Sequence, residues 1–256
     1  MNLLAPSAWL RLGAAALLLA TAVWPAHALD IRWGLGSSVT GSGKPASETR
    51  APGSFQAISV RGPIELVVRQ SGREAVEVRA DDNLLPLIET QVEDGAHGPT
   101  LVVGVRKGQS LSTRSQIRVT VDVARLQALS TSGSGDFTIE SLQTPSLKLS
   151  IAGSSDGRIG GLQTESLDIA IAGSGDVRAA GSAARVKLSI AGSGDARLPQ
   201  LQADDVTVSI SGSGDADVTA NKTLAVSIAG SGDVVYGGSG TLTRSSVLGS
   251  GSVTRR

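Results

Sequence analysis

The chain has no cysteine among its 256 residues. That excludes disulfides, thiolate metal sites, a cysteine nucleophile and the lipid attachment point of a bacterial lipoprotein. Aromatic residues are almost as scarce, with three Trp, two Phe and one Tyr, so a core cannot be built around large rings. Val, Ile, Leu and Ala must fill it, which suits thin β-structures made of small repeated layers. Charge of either sign is not in excess, since 23 basic residues face 23 acidic ones. Such a balance gives no long-range field for nucleic acid or an anionic membrane, and basic clusters with interleaved aromatics are missing. Histidine is limited to His27 and His97, which excludes a histidine-rich metal site. His97 lies in the turn Asp94-Gly95-Ala96-His97-Gly98-Pro99 without a partner signal, a poor setting for a catalytic imidazole.

Long apolar runs are also missing. The longest, Leu12 to Trp24, spans 13 residues, short of the ~20 that cross a bilayer. Arg11 precedes it, and Pro25 follows before Ala26-His27-Ala28, a small-x-small cleavage site. This order of charge, apolar stretch and cleavage site describes a secretory signal peptide over 1–28 rather than a membrane anchor. Removing it takes away one basic residue, leaving 22 against 23 and a net charge of −1. No later segment is apolar enough to span, so an exported chain without a transmembrane anchor is expected, in the periplasm or at the cell surface.

What the sequence has in excess is glycine, 32 residues, and it is placed periodically. The tetrad Gly-Ser-Gly-Asp or a near copy begins at Gly133, Gly153, Gly173, Gly192, Gly212, Gly230 and Gly249. Successive fourth positions are 20, 20, 19, 20, 18 and 19 residues apart. Before the tetrads lie alternating strands such as Leu147-Lys148-Leu149-Ser150-Ile151, Val186-Lys187-Leu188-Ser189-Ile190 and Val206-Thr207-Val208-Ser209-Ile210. Apolar residues at alternate positions mark a half-buried strand, with Lys, Ser and Thr facing water.

A unit of about twenty residues cannot bury its apolar face alone, but stacked copies can. Disorder, the other reading of a glycine-rich chain, does not fit strict apolar alternation. A Greek-key sandwich would give unlike turns, and a propeller blade needs about twice this period. The expected fold is therefore all-β, a right-handed parallel β-helix or solenoid with ~20-residue coils. About seven coils at ~4.8 Å per strand make a stack of roughly 34 Å. The solenoid proper is placed at 131–256. Residues 51–130 carry strands without the tetrad and read as irregular opening coils or a cap, continuous with the solenoid as one domain over 51–256. Within that region Asp81-Asp82-Asn83 before Leu84-Leu85-Pro86 points to a short helical turn or a corner. Residues 29–50, rich in Gly and Ser, read as a flexible leader.

The tetrad carries the only repeated chemistry. Glycine permits a strained corner, and Ser and Asp side chains accept bonds from backbone N–H groups freed by the turn. Stacking would superpose Asp136, Asp156, Asp176, Asp195, Asp215 and Asp233 into a ladder, with Ser252 in the last place. Turn chemistry is one reading of that ladder. The other is a metal site, because carboxylates ~5 Å apart repel and calcium relieves the repulsion. Calcium-binding nonapeptide repeats place Asp two residues after the last glycine, whereas here Asp follows glycine directly, and the two patterns do not match. No other cofactor is indicated.

Together, Phe55-x-x-Ile58-x-Val60-x-Gly62, Asp82-Asn83-Leu84-Leu85, Leu101-Val102-Val103 and the tetrad repeats resemble the DUF2807 family, the auto-transporter adhesin head GIN domain. The likeness runs over roughly 54–254. It implies an exported bacterial β-solenoid and transfers no catalytic residue and no ligand. The expected function is non-catalytic: an adhesin-like binding or scaffolding module whose polar face meets an envelope or surface protein or a glycan, with no nucleic acid involved. Two alternatives remain open. One is a carbohydrate-active β-helix enzyme, which needs two converging acids and usually an aromatic wall. The other is a calcium-stabilised structural rod.

Overall fold

The computed structural model describes residues 37 to 256, so the expected signal peptide and the first part of the leader lie outside the described residues. From Leu142 onward the chain winds into parallel coils, each strand pairing with its copy one period later. Gly157–Gly173 pairs with Val177–Gly192, which pairs with Ala196–Gly212, which in turn pairs with Ala216–Gly230. The architecture is a parallel β-solenoid of about six turns. Seven tetrads delimit six intervals, which reconciles this with the seven corners of the sequence.

Alternation makes the core. Three inward columns rise through the stack, each in register: Leu147, Leu167, Val186, Val206 and Leu224; Leu149, Ile169, Leu188, Val208 and Val226; and Ile151, Ile171, Ile190, Ile210 and Ile228. All are buried. β-branched and Leu side chains suit this because each is locked between identical neighbours above and below. Beyond the tetrad, a shorter side stacks Phe137 under Gly157. A methyl group on Gly157 would run into the Phe137 ring, so this ring fills space left by a glycine above it.

The register breaks between Ile159 and Leu162 and skips Glu165, where the coil turns a second and third corner. At the latter corner the Thr164 hydroxyl accepts the Ser166 N–H and donates to the Ser166 carbonyl, a local bond that holds the bend.

The 51–130 region joins the same stack, but not in chain order. Ala57–Arg61 and Glu65–Gln70 form a coil that pairs on one side with Ala128–Gly133 and Phe137–Ile139. On its other side it pairs with Gly98–Val105 and Arg118–Val123, which come later in sequence. The chain thus begins inside the stack, drops to build the end layer, and returns past its own start to wind the tetrad coils. Gly62-Pro63-Ile64-Glu65 lies under Gly133 to Asp136. The Gly62 N–H donates to the Ser132 carbonyl at 2.8 Å, and the Leu66 N–H to the Asp136 carbonyl at 2.8 Å. This is a degenerate corner with one glycine left, which explains why the sequence pattern misses it.

Antiparallel strands close that end. Ala75–Asp81 pairs antiparallel with Arg118–Val123, and Ile88–Gly95 with Gly98–Val105. The expected helical turn after Asn83 is a short 3-10 helix, Leu85–Leu87. The flexible leader over 29–50 is corrected where it is described: Ser37–Thr40 pairs with Gln109–Ser112, and Pro45–Arg50 pairs antiparallel with Ala75–Asp81. Strand Pro45–Arg50 has no apolar alternation, so its sequence reads as loop; side-chain bonds hold it instead. The Arg50 guanidinium donates to the Leu85 carbonyl at 2.8 Å and to that of Ile88 at 2.5 Å, and it pairs with Glu48. Arg50 also holds the Glu48 carboxyl below its ordinary pKa.

The inward register carries a clear expectation. Ile190→Asp places a charge in a column with no partner, at a cost of about 4 kcal/mol or more. The variant should show a fall in Tm of roughly 10 °C or more by circular dichroism, and an unchanged Tm would show that Ile190 does not face the core.

Candidate functional site

The tetrad corner is built by contact between backbones. Its first glycine adopts positive φ in every copy, from 116° at Gly153 to 140° at Gly230. In the stacked copies a methyl group there would run into the carbonyl oxygen of the glycine one coil below, as at Gly153 over Gly133 and Gly212 over Gly192. The third position is also close-packed: a methyl on Gly194 would meet the Gly175 carbonyl and lie 3.0 Å from Ile171 Cγ2. The first glycine is therefore required by coil-to-coil approach and by its dihedral, while the third place is tight but admits a side chain in one copy. Ser155 is the copy with a side chain at the third place; it is buried, with its hydroxyl 3.4 Å from the Gly133 carbonyl.

Two ladders of hydrogen bonds climb this corner. The tetrad serine N–H donates to the first-glycine carbonyl one coil below at 2.9 Å, as from Ser174 to Gly153 and from Ser213 to Gly192. The aspartates do the rest. The N–H of Asp156 donates to Asp136 Oδ1 at 3.0 Å, Asp176 to Asp156 at 2.9 Å and Asp195 to Asp176 at 3.1 Å. Asp215 donates to Asp195 at 3.0 Å, and Asp233 to Asp215 at 2.8 Å. Each carboxylate thus accepts a backbone donor of the next coil's corner in a charge-assisted bond. Ser252 ends the series, giving both its N–H and its hydroxyl to Asp233 Oδ1 at 2.8 Å.

All six candidate metal residues are brought into one column. One oxygen of each of the six is committed to backbone. Two of the other oxygens belong to Arg197, whose guanidinium bridges Asp176 at 3.3 Å and Asp195 at 2.9 Å. Among the described residues no group of three or more His, Cys, Asp or Glu stands close enough to hold one ion. Arg197 sits in register with Arg178 and Arg158, a basic column beside the acidic one. The sequence shows both columns but not that a guanidinium spans two coils.

His97 lies exposed at the tip of the hairpin between Ile88–Gly95 and Gly98–Val105. Phe55 and Phe137 are buried in the core, so neither forms part of a sugar-binding wall. Outside, the coils present flat in-register columns. One runs Ser130, Ser150, Ala170, Ser189, Ser209 and Ser227, and beside it run Ala152, Ala172, Ala191, Ser211 and Ala229. A third alternates in charge, Lys148, Asp168 and Lys187, before Thr207. Opposite charges on adjacent strands are favourable and like charges are not, and the register of this column sets unlike charges next to each other.

A parallel β-solenoid with glycine corners and flat, in-register outward columns defines the fold class of this chain. The family model described as "Putative auto-transporter adhesin, head GIN domain", DUF2807, matches residues 54–240, and the chain belongs to that family. Solved structures share the fold. A protein of Bacteroides fragilis described as a "putative adhesin" superposes with a TM-score of 0.74 at 24% identity, over 85% of this chain and 100% of its own. A "putative adhesin" from Parabacteroides merdae gives 0.67 at 24%, over 86% and 99%. A "putative lipid binding protein" from Parabacteroides distasonis gives 0.70 at 26%, over 86% and 100%. No curated protein matches the chain.

The ladder distinguishes its own two chemical readings. Asp215→Asn keeps the oxygen that accepts the Asp233 N–H, whereas Asp215→Ala removes it, at a cost of about 1 kcal/mol. For turn chemistry the alanine variant should lose about 3 °C of Tm and the asparagine variant almost nothing. Equal losses in both would mean that the charge, not the acceptor, is what the corner needs.

Proposed function

We propose that this chain is an exported adhesin-like module of the bacterial envelope that binds a surface glycan or protein along its flat outward face. The observation that carries this reading is the set of Ser and Ala columns from Ser130 to Ser227 and from Ala152 to Ala229, in register on one side of the stack. Small side chains at strand spacing make a surface with little rotamer entropy to lose on contact. Repeated identical contacts then add as a multivalent interaction, each weak alone. The core stays rigid beneath, because every inward residue is locked by its copies.

Family membership supports the adhesive role, and the fold neighbours described as adhesins agree with it. The buried positions of Phe55 and Phe137 and the commitment of the tetrad acids to backbone favour binding over glycoside cleavage. Among the described residues no helix is long and apolar enough to cross a membrane. The signal-like segment over 1–28 supports export, with the periplasm or the cell surface as the destination.

Bulky charge on the face tests the proposal. Ser150→Arg combined with Ser189→Arg and Ser209→Arg points outward and should leave the circular dichroism spectrum unchanged. Biolayer interferometry against purified capsular polysaccharide, peptidoglycan and outer-membrane vesicles should show binding by the wild type, reduced at least tenfold in the triple variant. Equal binding by both would move the contact to another side of the solenoid, and release of reducing sugars by the wild type would replace the reading with an enzymatic one.

A further inference from the structure

At the capped end, three segments far apart in sequence converge. They are the loop after Ser37–Thr40, the end of strand Ala75–Asp81, and the stretch after Gln109–Ser112. Between them lies a recess of about 420 Å³. Its wall holds the hydroxyls of Ser42, Thr113 and Ser115, the backbone of Gly41 and Gly43, and the carboxylate of Asp81, with the exposed Arg114 also on its wall.

Asp81 is the anomaly. It is 1% exposed and makes no ion pair among the described residues. Thr113 Oγ1 donates to its Oδ2 at 3.0 Å, while its Oδ1 is buried without any hydrogen-bond partner. Hydrogen bonding from the Ser115 hydroxyl, with that from the Thr113 hydroxyl and the Gly43 N–H, outweighs its burial and holds the carboxyl below its ordinary pKa. A buried carboxylate oxygen with nothing to accept is among the most costly arrangements in a protein interior.

The surroundings specify what would relieve it. Apart from Arg114, the donor atoms around the recess are oxygens of hydroxyl, carbonyl and carboxylate, the ligand set of hard cations rather than of zinc or copper. Gly41 packs against the other carboxylate oxygen: a methyl group there would run into Asp81 Oδ2 and lie 2.9 Å from Thr113 Oγ1. The nearby Asp82 is engaged elsewhere, accepting from the Ser42 hydroxyl and the Asn83 N–H, and so braces the loop rather than the recess.

We propose that this recess is a cation site for a hard divalent ion such as calcium, anchored by the Asp81 carboxylate and completed by hydroxyl and carbonyl oxygens of the 40–43 and 112–115 loops. It stands apart from the tetrad carboxylates and from the outward binding face. With one carboxylate the affinity belongs to the weak range of extracellular modules, on the order of 10⁻⁴–10⁻³ M. The ion ties the Gln109–Ser112 strand and its flanking turns to the strands that close the stack, so its effect is on the stability of the capped end.

The test is thermal unfolding of the full chain with calcium chloride, against sodium chloride of matched ionic strength. At ten times the dissociation constant, calcium should raise Tm by about 3–5 °C. Asp81→Asn should abolish the rise, Gly41→Ala should abolish or reduce it, and Asp176→Asn, in the tetrad ladder, should leave it intact. Gly41→Ala keeps the test valid should the Asp81→Asn variant fold poorly. No rise in the wild type, or a rise that survives Asp81→Asn, would overturn the proposal. So would a rise lost only with Asp176→Asn, which would place the ion on the ladder. Methylammonium chloride producing the shift that calcium does not would make the recess an amine site instead.

Discussion

The whole solenoid depends on how closely one corner can approach the next. At each tetrad the carbonyl oxygen of a glycine occupies the space that a side chain of the glycine above would need, as at Gly153 over Gly133. Strands one coil apart are set by hydrogen bonding at ~4.8 Å, and a first corner position without a Cβ atom keeps that spacing through the turn. Once the corners stack, the three inward columns fall into register without further instruction. Their Leu, Ile and Val side chains then do for each layer what a disulfide or a large aromatic core does in other folds.

Polar chemistry follows from the same superposition. At each tight corner the aspartate of the coil below accepts a backbone N–H. The residue is acidic in six copies and serine in the seventh, where Ser252 gives both its N–H and its hydroxyl to Asp233. The inward columns change in the same place, where Ser245 pairs with buried Val226 and is itself exposed. Repulsion along the acidic column is offset in part by Arg197 between Asp176 and Asp195.

The tetrad coils are legible in the sequence because period, alternation and turn chemistry all agree there. The strands around Ile58, Leu66, Val78, Leu101 and Val119 are legible singly, from alternation, but their order in the stack is not. Nothing local to Ala57–Arg61 says that a strand about forty residues later will lie beneath it and one about seventy residues later above it. Strand Pro45–Arg50 reads as flexible because its sequence lacks an apolar face; it is held by Arg50 reaching two carbonyls. The Asp81 recess is invisible for a related reason. Its walls come from residues near 41, 81 and 113, and each is an ordinary polar turn when read alone.

The displaced order of the first coils sets a timetable for folding. Each tetrad coil needs only the twenty or so residues before it, so the stack can lengthen as quickly as chain arrives, one low-contact-order step at a time. Ala57–Gln70 cannot be finished that way. Its lower neighbour, Arg118–Val123, and its upper one, Ala128–Gly133, are both made of later chain. A polypeptide emerging N-terminus first therefore leaves the upper edge of Ala57–Arg61 unpaired until about seventy further residues are present. Growth then proceeds towards the C-terminus from a foundation that was the last part of the first half to close.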